Sequence, residues 1–376
     1  MKAVSAPVSL LHVHSGNLFG GVERMLESMT KPTASMTSRF ALCFEGRLSA
    51  SLEGMNADVY QLGPVQARNP VQIWHARRAL DRLIAGTASI AVVHSAWAQA
   101  IFGPVIARAG LPLVRWFHSP DPGPTWMERW ARRTVPDMAV YNSQYTRRAA
   151  HAPQSAHAIV AYPPMTAPSR PSRSREAVRA GFGTAADRVV IVMASRLESL
   201  KGHSALIDAM GSLADLPVEC WIAGGAQRSA EHQYLESLER AADRRGVRGR
   251  VRFVGEQQDV DSLFAAADLH CQPNVGPESF GMAFVEAMAA GLPVVTTRLG
   301  AAPEIVDETC GVLVEPNRPA ELAATLRQLV IDETRRRELG DGAQRRAAEF
   351  FDLDLSLDTL AEAFRPLTTS AGALTR

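Results

Sequence analysis

Short apolar runs recur along the chain at intervals that leave room for one helix between each neighbouring pair. Val8 to His14, Arg39 to Phe44, Ile90 to His94, Leu111 to Phe117 and Met138 to Tyr141 read as buried strands. Between them, Gly21 to Thr30, Gln72 to Ile84, Ala98 to Ala109 and Pro124 to Thr134 carry helical patterns. Residues 161–175 are rich in Pro, Ser and Arg and break the rhythm, which predicts a linker. The rhythm then restarts. Arg188 to Ala194, Val218 to Ile222, Arg250 to Val254, Asp268 to Gln272 and Pro293 to Thr297 read as strands. Helices fit Ser204 to Leu213, Glu231 to Arg245, Val260 to Ala266, Gly281 to Ala290, Pro319 to Ile331 and Thr334 to Phe350. Alternation of this kind predicts an α/β protein with two doubly wound parallel sheets, whose ligands bind beyond the carboxyl ends of the strands. A cleft between the two domains is expected.

One stretch organises the second half, Cys271 to Val306. Gly276, Pro277 and Gly281 punctuate a loop, and an apolar helix follows until Gly291-Leu-Pro stops it. From Met282 to Ala290 the only polar side chain is Glu286, so this helix is expected to be buried with one carboxylate inside it. Glu278 precedes it in the loop, beside free N-terminal amides that favour an anion. A ligand carrying both phosphate and hydroxyls would use the amides and both carboxylates. The E-x7-E spacing alone decides nothing, because a structural Glu286–arginine pair gives the same pattern.

The surrounding words are more specific. PESFGMAFVEAMAAGLPVVTT followed by GAAPEIV resembles the signature of retaining glycosyltransferases of the GT-B fold, in particular the GT4 family, also called group 1. The resemblance spans nearly the whole chain and is strongest from Arg188 to Val314. It implies two Rossmann-like domains facing across a cleft: 1–164 on the acceptor side, 165–350 for the nucleotide sugar, a helix at 351–367 crossing back, and a flexible tail at 368–376. It implies that Glu278 contacts the donor sugar and that Glu286 holds the ribose. Phe280, Gly281 and Met282 then line the donor.

Other loops at predicted strand ends fit the same resemblance. Ala194-Ser-Arg-Leu-Glu-Ser-Leu-Lys-Gly202 resembles the family's donor-phosphate clamp, with Arg196 as a planar fork and Lys201 as a point charge. In this family such a clamp serves in place of a divalent metal, stabilising charge on the departing nucleotide. Gly20 and Gly21 of GGVER allow close backbone approach at a helix start, or simply a tight turn. His118, ending the Leu111 strand, is expected beside the donor sugar, although a lone histidine is more often structural. Asn142-Ser143 resembles a further family loop. Gly224 and Val254 are expected near the nucleotide, with backbone rather than side chains reading the base. No nucleophilic carboxylate is apparent, and the front-face mechanism usual for the family is the one the resemblance implies.

The resulting expectation is transfer of a hexose-type sugar from a nucleotide-diphosphate sugar to a hydroxyl of a glycan, glycolipid or lipid-linked acceptor. His118, Arg196, Lys201 and Glu278 carry the chemistry, and neither metal nor resident cofactor is expected. A GT-B sugar-nucleotide epimerase and a non-catalytic nucleotide-sugar-binding protein are the alternatives. The first should show acids placed for proton abstraction, and the second should have lost GGVER and His118.

Composition narrows the setting. The 376 residues are 46% hydrophobic and 21% charged, which suits about two globular domains. No run approaches the ~18 apolar residues of a membrane span, and the strand-like VSLLHVH soon after Met1-Lys2 is not the h-region of a signal peptide, so no secretory leader is expected. Four dispersed cysteines (Cys43, Cys220, Cys271, Cys310) suggest reduced thiols and a cytoplasmic protein, and the resemblance implies a part in cell-envelope glycan synthesis. The net charge of +1 hides an asymmetry: residues 1–165 hold 16 Lys and Arg against 9 Asp and Glu, or +7, leaving 24 against 30, or −6. Nucleic acid is not an expected partner. Trp126, Arg129, Trp130, Arg132 and Arg133 on one helix, and Trp74, Arg77, Arg78 and Arg82 on another, suit peripheral contact with an anionic membrane. Core tryptophans with a solvated basic flank explain the same residues.

Overall fold

A computed structural model describes residues 6–371 except 85–87, 121–122, 124, 152–154, 156, 169, 227 and 351. Residues 372–376 of the expected tail therefore lie outside the described residues. The elements run β1(Val8–His14) α1(Gly21–Ser28) β2(Met36–Leu42) α2(Arg47–Gly54) β3(Val59–Gln61) α3(Pro70–Ile84) β4(Ile90–Val93) α4(Ala96–Arg108) β5(Leu113–Phe117) α5(Trp126–Ala131) β6(Met138–Tyr141) α6(Gln144–Arg148) β7(His157–Val160). The second series is α7(Arg175–Gly181) β8(Val189–Ala194) α8(His203–Gly211) β9(Val218–Ala223) α9(Ser229–Arg244) β10(Val251–Gly255) α10(Val260–Ala266) β11(Leu269–Gln272) α11(Met282–Ala289) β12(Val294–Thr297) α12(Ala302–Ile305) β13(Gly311–Val314) α13(Pro319–Ile331) α14(Glu333–Phe350) α15(Leu353–Ala371). They form two compact units, residues 1–166 with 351–376, and residues 167–350.

In the first unit seven parallel strands lie in the order β3-β2-β1-β4-β5-β6-β7. The runs are apolar on both faces because both are covered. Leu10, Phe40, Val92, Val114 and Trp116 enter one core, whereas Leu11, Val13, Ala41, Val93 and Leu113 enter the other. The second core is closed by α3 and α4, through Ala76, Leu80, Ile101, Phe102 and Val105. Part of the first core comes from the far end of the chain: Leu357, Leu360, Ala361 and Phe364 of α15 are buried among β1 and β2 residues. Lys31 Nζ holds Asp354 at 2.8 Å, and Ser35 bonds Asp358.

The second unit has six parallel strands in the order β10-β9-β8-β11-β12-β13. Ile191, Met193, Cys220, Ile222, Leu269 and Val295 of the sheet meet Leu206, Met210, Leu238, Leu326 and Leu329 of α8, α9 and α13. Strand order reverses between β8 and β11 here, and between β1 and β4 in the first unit, so the loops after those strands border each sheet's crevice.

Several expectations change. β3, β7 and β13, and the short helices α2, α6, α7 and α12, were not predicted from the apolar pattern. β3 has three residues and β7 is largely exposed, so neither carries a buried run. The predicted linker ends before residue 175. Ser172 bonds Asp259, the Arg173 amide donates to Ser262 Oγ at 3.0 Å, and Arg175 and Arg179 both hold Asp268 at 2.6 Å. Its arginines are therefore tethers, invisible to an apolar count. The α11 helix is not enclosed all round either. Phe284, Val285, Ala287 and Met288 are buried, but Met282, Ala283, Glu286 and Ala289 are half-buried along one stripe. Finally, Trp74 and Trp126 are not core residues, being 52% and 49% exposed; Trp116 and Trp221 are the enclosed pair.

Candidate active site

The β8–α8 and β11–α11 loops of the second unit interlock. Gly202 (φ +83°) ends the single 3₁₀ turn Ser199–Lys201, and a Cβ on it would lie 1.9 Å from the Pro273 carbonyl oxygen. The amides of Val275 and Gly276 donate to the Leu200 carbonyl at 2.9 and 3.2 Å. Glycine is required at 202 on two counts, its left-handed backbone and the lack of room.

This interlocking brings Lys201 to Glu278. Nζ lies 2.6 Å from Oε2, and the two side chains are only 13% and 11% exposed. Gln272 Nε2 donates to the same oxygen at 3.1 Å, and Asn274 Nδ2 approaches it at 3.5 Å. Gln272 also donates to Asn274 Oδ1 at 3.0 Å. Thr296 and Thr297 pin the strand end, donating to the Gln272 and Asn274 carbonyls at 2.8 and 2.6 Å. Oε1 accepts from the Ser279 amide at 3.2 Å. A carboxylate offers about four lone-pair sites. Oε2 is thus crowded with donors, and Oε1 is the oxygen with capacity left.

The other predicted residues of this unit fall around the same edge. Arg196 follows β8, is half-exposed, and pairs with Glu198 Oε1 at 2.7 Å. Lys201 and Arg196 are therefore held by different carboxylates instead of forming one bare clamp. Gly281 caps α11 at φ +96°, where a Cβ would lie 2.4 Å from the Phe284 ring. Phe280 is buried beneath it and Met282 opens the helix. Glu286 sits one turn further on, on the half-buried stripe. Gly224 follows β9 and donates to the Gly255 carbonyl at 2.9 Å. The Val254 carbonyl already accepts from Gln257 Nε2 at 2.5 Å. Asp259, in the sequence's first D-x-D, caps α10 by accepting from the Ser262 amide at 2.9 Å.

In the first unit, Gly20 and Gly21 stand at the start of α1, and Glu23 two residues on holds His14 Nε2 at 2.8 Å. His118 follows β5, half-buried, and its backbone carbonyl accepts from Asn142 Nδ2 at 3.2 Å. Its ring is stacked on Trp116 at 5.7 Å and lies 2.9 Å from His94, Nε2 to Nδ1. His94 Nε2 in turn lies 2.9 Å from His12 Nδ1. Burial, then the neighbouring His14, Arg115 and His12, push His118 down to about 3, and burial and His14 push His12 equally far. That direction favours the neutral form of these rings at physiological pH.

Gln272, Asn274, His12 and His94 were not singled out by sequence. A signal for one of them, His94, existed. LHVH, AVVH and RWFH each end an apolar run in histidine, so His14, His94 and His118 mark the carboxyl ends of three adjacent strands.

Two doubly wound parallel units with polar clusters at their switch points define the GT-B class of α/β protein. Residues 174–346, nearly all of the second unit, match the family Glycosyl transferases group 1. The chain is 32% identical over 204 residues to a D-inositol 3-phosphate glycosyltransferase of Corynebacterium urealyticum, covering 52% of this chain and 47% of that protein. The corresponding protein of Salinispora tropica is 36% identical over 172 residues, 43% of this chain and 35% of its own length. The chain spans about half the length of the curated relatives it matches. Among solved structures, Anabaena Alr3699/HepE in complex with UDP and glucose superposes with a TM-score of 0.83 at 25% identity, over 96% of this chain and 100% of that one. A glycosyltransferase from Rickettsia africae shares the fold, with a TM-score of 0.82, 18% identity and coverage of 96% and 99%.

Proposed function

We propose that this protein is a retaining, metal-independent glycosyltransferase that moves a hexose from a nucleotide-diphosphate sugar to an acceptor hydroxyl. The observation that carries the reading is the Lys201–Glu278 pair, buried at the switch point with Gln272 and Asn274. Burying an ion pair is costly unless further hydrogen bonds satisfy it, and here two side-chain amides do so. Glu278 Oε1 then offers an acceptor to a sugar hydroxyl. Lys201, Arg196 and the amides opening α11 offer positive charge to a diphosphate that gains charge as the glycosidic bond breaks. Glu286, one turn inside α11, serves the ribose. Gly20, Gly21, Gly224, Val254, Phe280, Gly281 and Met282 complete the donor contacts, and His118 bonds a sugar hydroxyl. The neighbour bound to UDP and glucose makes UDP-glucose the first donor to try.

The test is transfer from UDP-, GDP- and ADP-sugars to glycan and lipid-linked acceptors, with the product anomer read by NMR. An α-linked product from an α-linked donor supports the reading. Conversion of the donor without any acceptor would point to an epimerase, and tight binding without turnover to a binding protein.

A membrane-bound acceptor is the finer part of this reading. Trp126 and Trp74 are half-exposed, Arg129 and Arg133 are exposed in the same stretch as Trp126, and Arg78 lies 4.9 Å over the Trp74 ring. Exposed tryptophan with arginine suits an anionic lipid surface. No helix among the described residues is long and apolar enough to cross a membrane.

A further inference from the structure

His12, His94 and His118 stand on three neighbouring strands and are linked nitrogen to nitrogen. His12 Nδ1 and His94 Nε2 are 2.9 Å apart, as are His94 Nδ1 and His118 Nε2. The far end is closed by Ser38 on β2, whose Oγ lies 3.3 Å from His12 Nε2. Stacking holds the rings in place: centroids are 5.2 Å apart for His12–His94 and again for His94–His118, and Trp116 lies along both His94 and His118.

A neutral imidazole has one N–H and one bare nitrogen, and each linkage needs one of each. That condition leaves two arrangements. If Ser38 donates to His12 Nε2, all three rings carry their proton on Nδ1, and His118 presents Nδ1–H outward. If Ser38 accepts, all three carry it on Nε2, and His118 presents a bare Nδ1. The remaining ring atom of His118 is thus set by a hydroxyl two rings away.

We propose that His12 and His94 are positioning residues that, with Ser38, fix the tautomer of His118 through one continuous relay, so that a ligand hydroxyl meets a donor or an acceptor at Nδ1 and not a mixture. The ligand clause rests on the function proposed above; the relay does not. Switching passes one proton along each of the three linkages, while Ser38 Oγ takes one from solvent and His118 Nδ1 releases one to the ligand or solvent (or the reverse), so every ring is neutral before and after. The groups facing the relay favour neutrality: Arg115 is buried on β5, His14 abuts His94 edge-on at 6.0 Å, and Glu23 is engaged by His14. Burial likewise holds all three rings far below the ordinary histidine range.

The experiment is ¹⁵N NMR of histidine-labelled protein, in which the two ring nitrogens report protonation separately. All three rings should be neutral at about pH 7 and share one tautomer. Ser38→Lys puts a group that only donates at the edge of the sheet, and should hold all three in the Nδ1–H form. His94→Leu within that variant should release His118 from the tautomer imposed at residue 38. Mixed tautomers among the three rings, an imidazolium at neutral pH, or any Nε2–H ring in Ser38→Lys would overturn the relay. Should His94→Leu not fold, the parent and Ser38→Lys spectra decide alone. Where UDP-glucose is turned over, His94→Leu should lower kcat about tenfold, as loss of a partner behind a functional group commonly does, with the donor Kd unchanged. Absence of turnover in the parent protein would defeat the proposed function and leave the NMR result standing.

Discussion

Lys201 and Glu278, 77 residues apart in sequence, meet at 2.6 Å behind the loop that opens α11. The only lysine of the second unit is thereby committed to a carboxylate before any ligand arrives. Lys201→Ala should lower kcat by about two to three orders of magnitude, the cost of about 2–4 kcal/mol typical of a charge-stabilising group. It should also destabilise the unit, because Glu278 keeps only amide donors. Lys201→Ala/Glu278→Gln should recover most of the stability and none of the turnover. Full turnover by Lys201→Ala rejects the assignment of Lys201.

Glu286 is separable from that pair. Glu286→Ala should weaken nucleotide binding itself by about 1.5–3 kcal/mol, the worth of a hydrogen bond to a charged acceptor. Its half-buried position predicts little loss of stability. Calorimetric titration with UDP and UDP-glucose checks both; an unchanged Kd would reassign the ribose contact.

Activity should persist in EDTA. In the function proposed above, Arg196, Lys201 and the amides opening α11 would supply the positive charge that a divalent ion supplies elsewhere. Asp259, one of the two acids of Asp259-Val-Asp261, is occupied by the Ser262 amide and by Ser172 and Arg173. Strict dependence on Mn²⁺ or Mg²⁺ in a dialysed assay would refute this.

Stability should fall as pH drops below the ordinary histidine range. His12 and His270 are fully buried and pushed down from 6.5 to about 3 by burial. The unfolded chain then binds more protons than the folded one below pH 6.5, so their contribution is present above that value and lost on acidification toward 3. Each ring adds a slope of up to about 1.4 kcal/mol per pH unit in that window. Urea midpoints measured from about pH 7.5 to 5 should decline; a flat profile contradicts the buried neutral rings.

Membrane contact has its own test. Replacing Arg129, Arg132 and Arg133 with Gln should reduce binding to anionic liposomes and leave nucleotide affinity intact. Each exposed base near such a surface is worth only about 1 kcal/mol, so the three are changed together. No liposome binding by the parent protein at low salt would favour a soluble acceptor.

The parallel sheets were legible because strands covered on both faces are written as unbroken apolar runs, such as VVIVMA at β8. Edge strands such as β7 lack that signature, and α7 is held by Arg175 and Arg179 on Asp268 instead of by an apolar face. The motif words put Lys201 and Glu278 in adjoining loops, but not against each other. That contact depends on Gly202 lying under Pro273, a long-range fit with no local periodicity. The imidazole chain escaped for the same reason: its members lie 24 and 82 residues apart and come together only through the order β1-β4-β5.

The α15 residues that close the first core carry a consequence for how the protein is made. Leu357, Leu360, Ala361 and Phe364 seal the face formed by Val8, Leu10 and Phe40, yet they are synthesised after both sheets. At ~5–20 residues per second, the sheet of residues 8–160 waits roughly 10–40 s on the ribosome with that face uncovered. The second unit, whose own core needs nothing beyond residue 350, can fold in the interval. A nascent chain arrested before α15 should therefore recruit holdase chaperones through its first half, and release them when the final helix emerges.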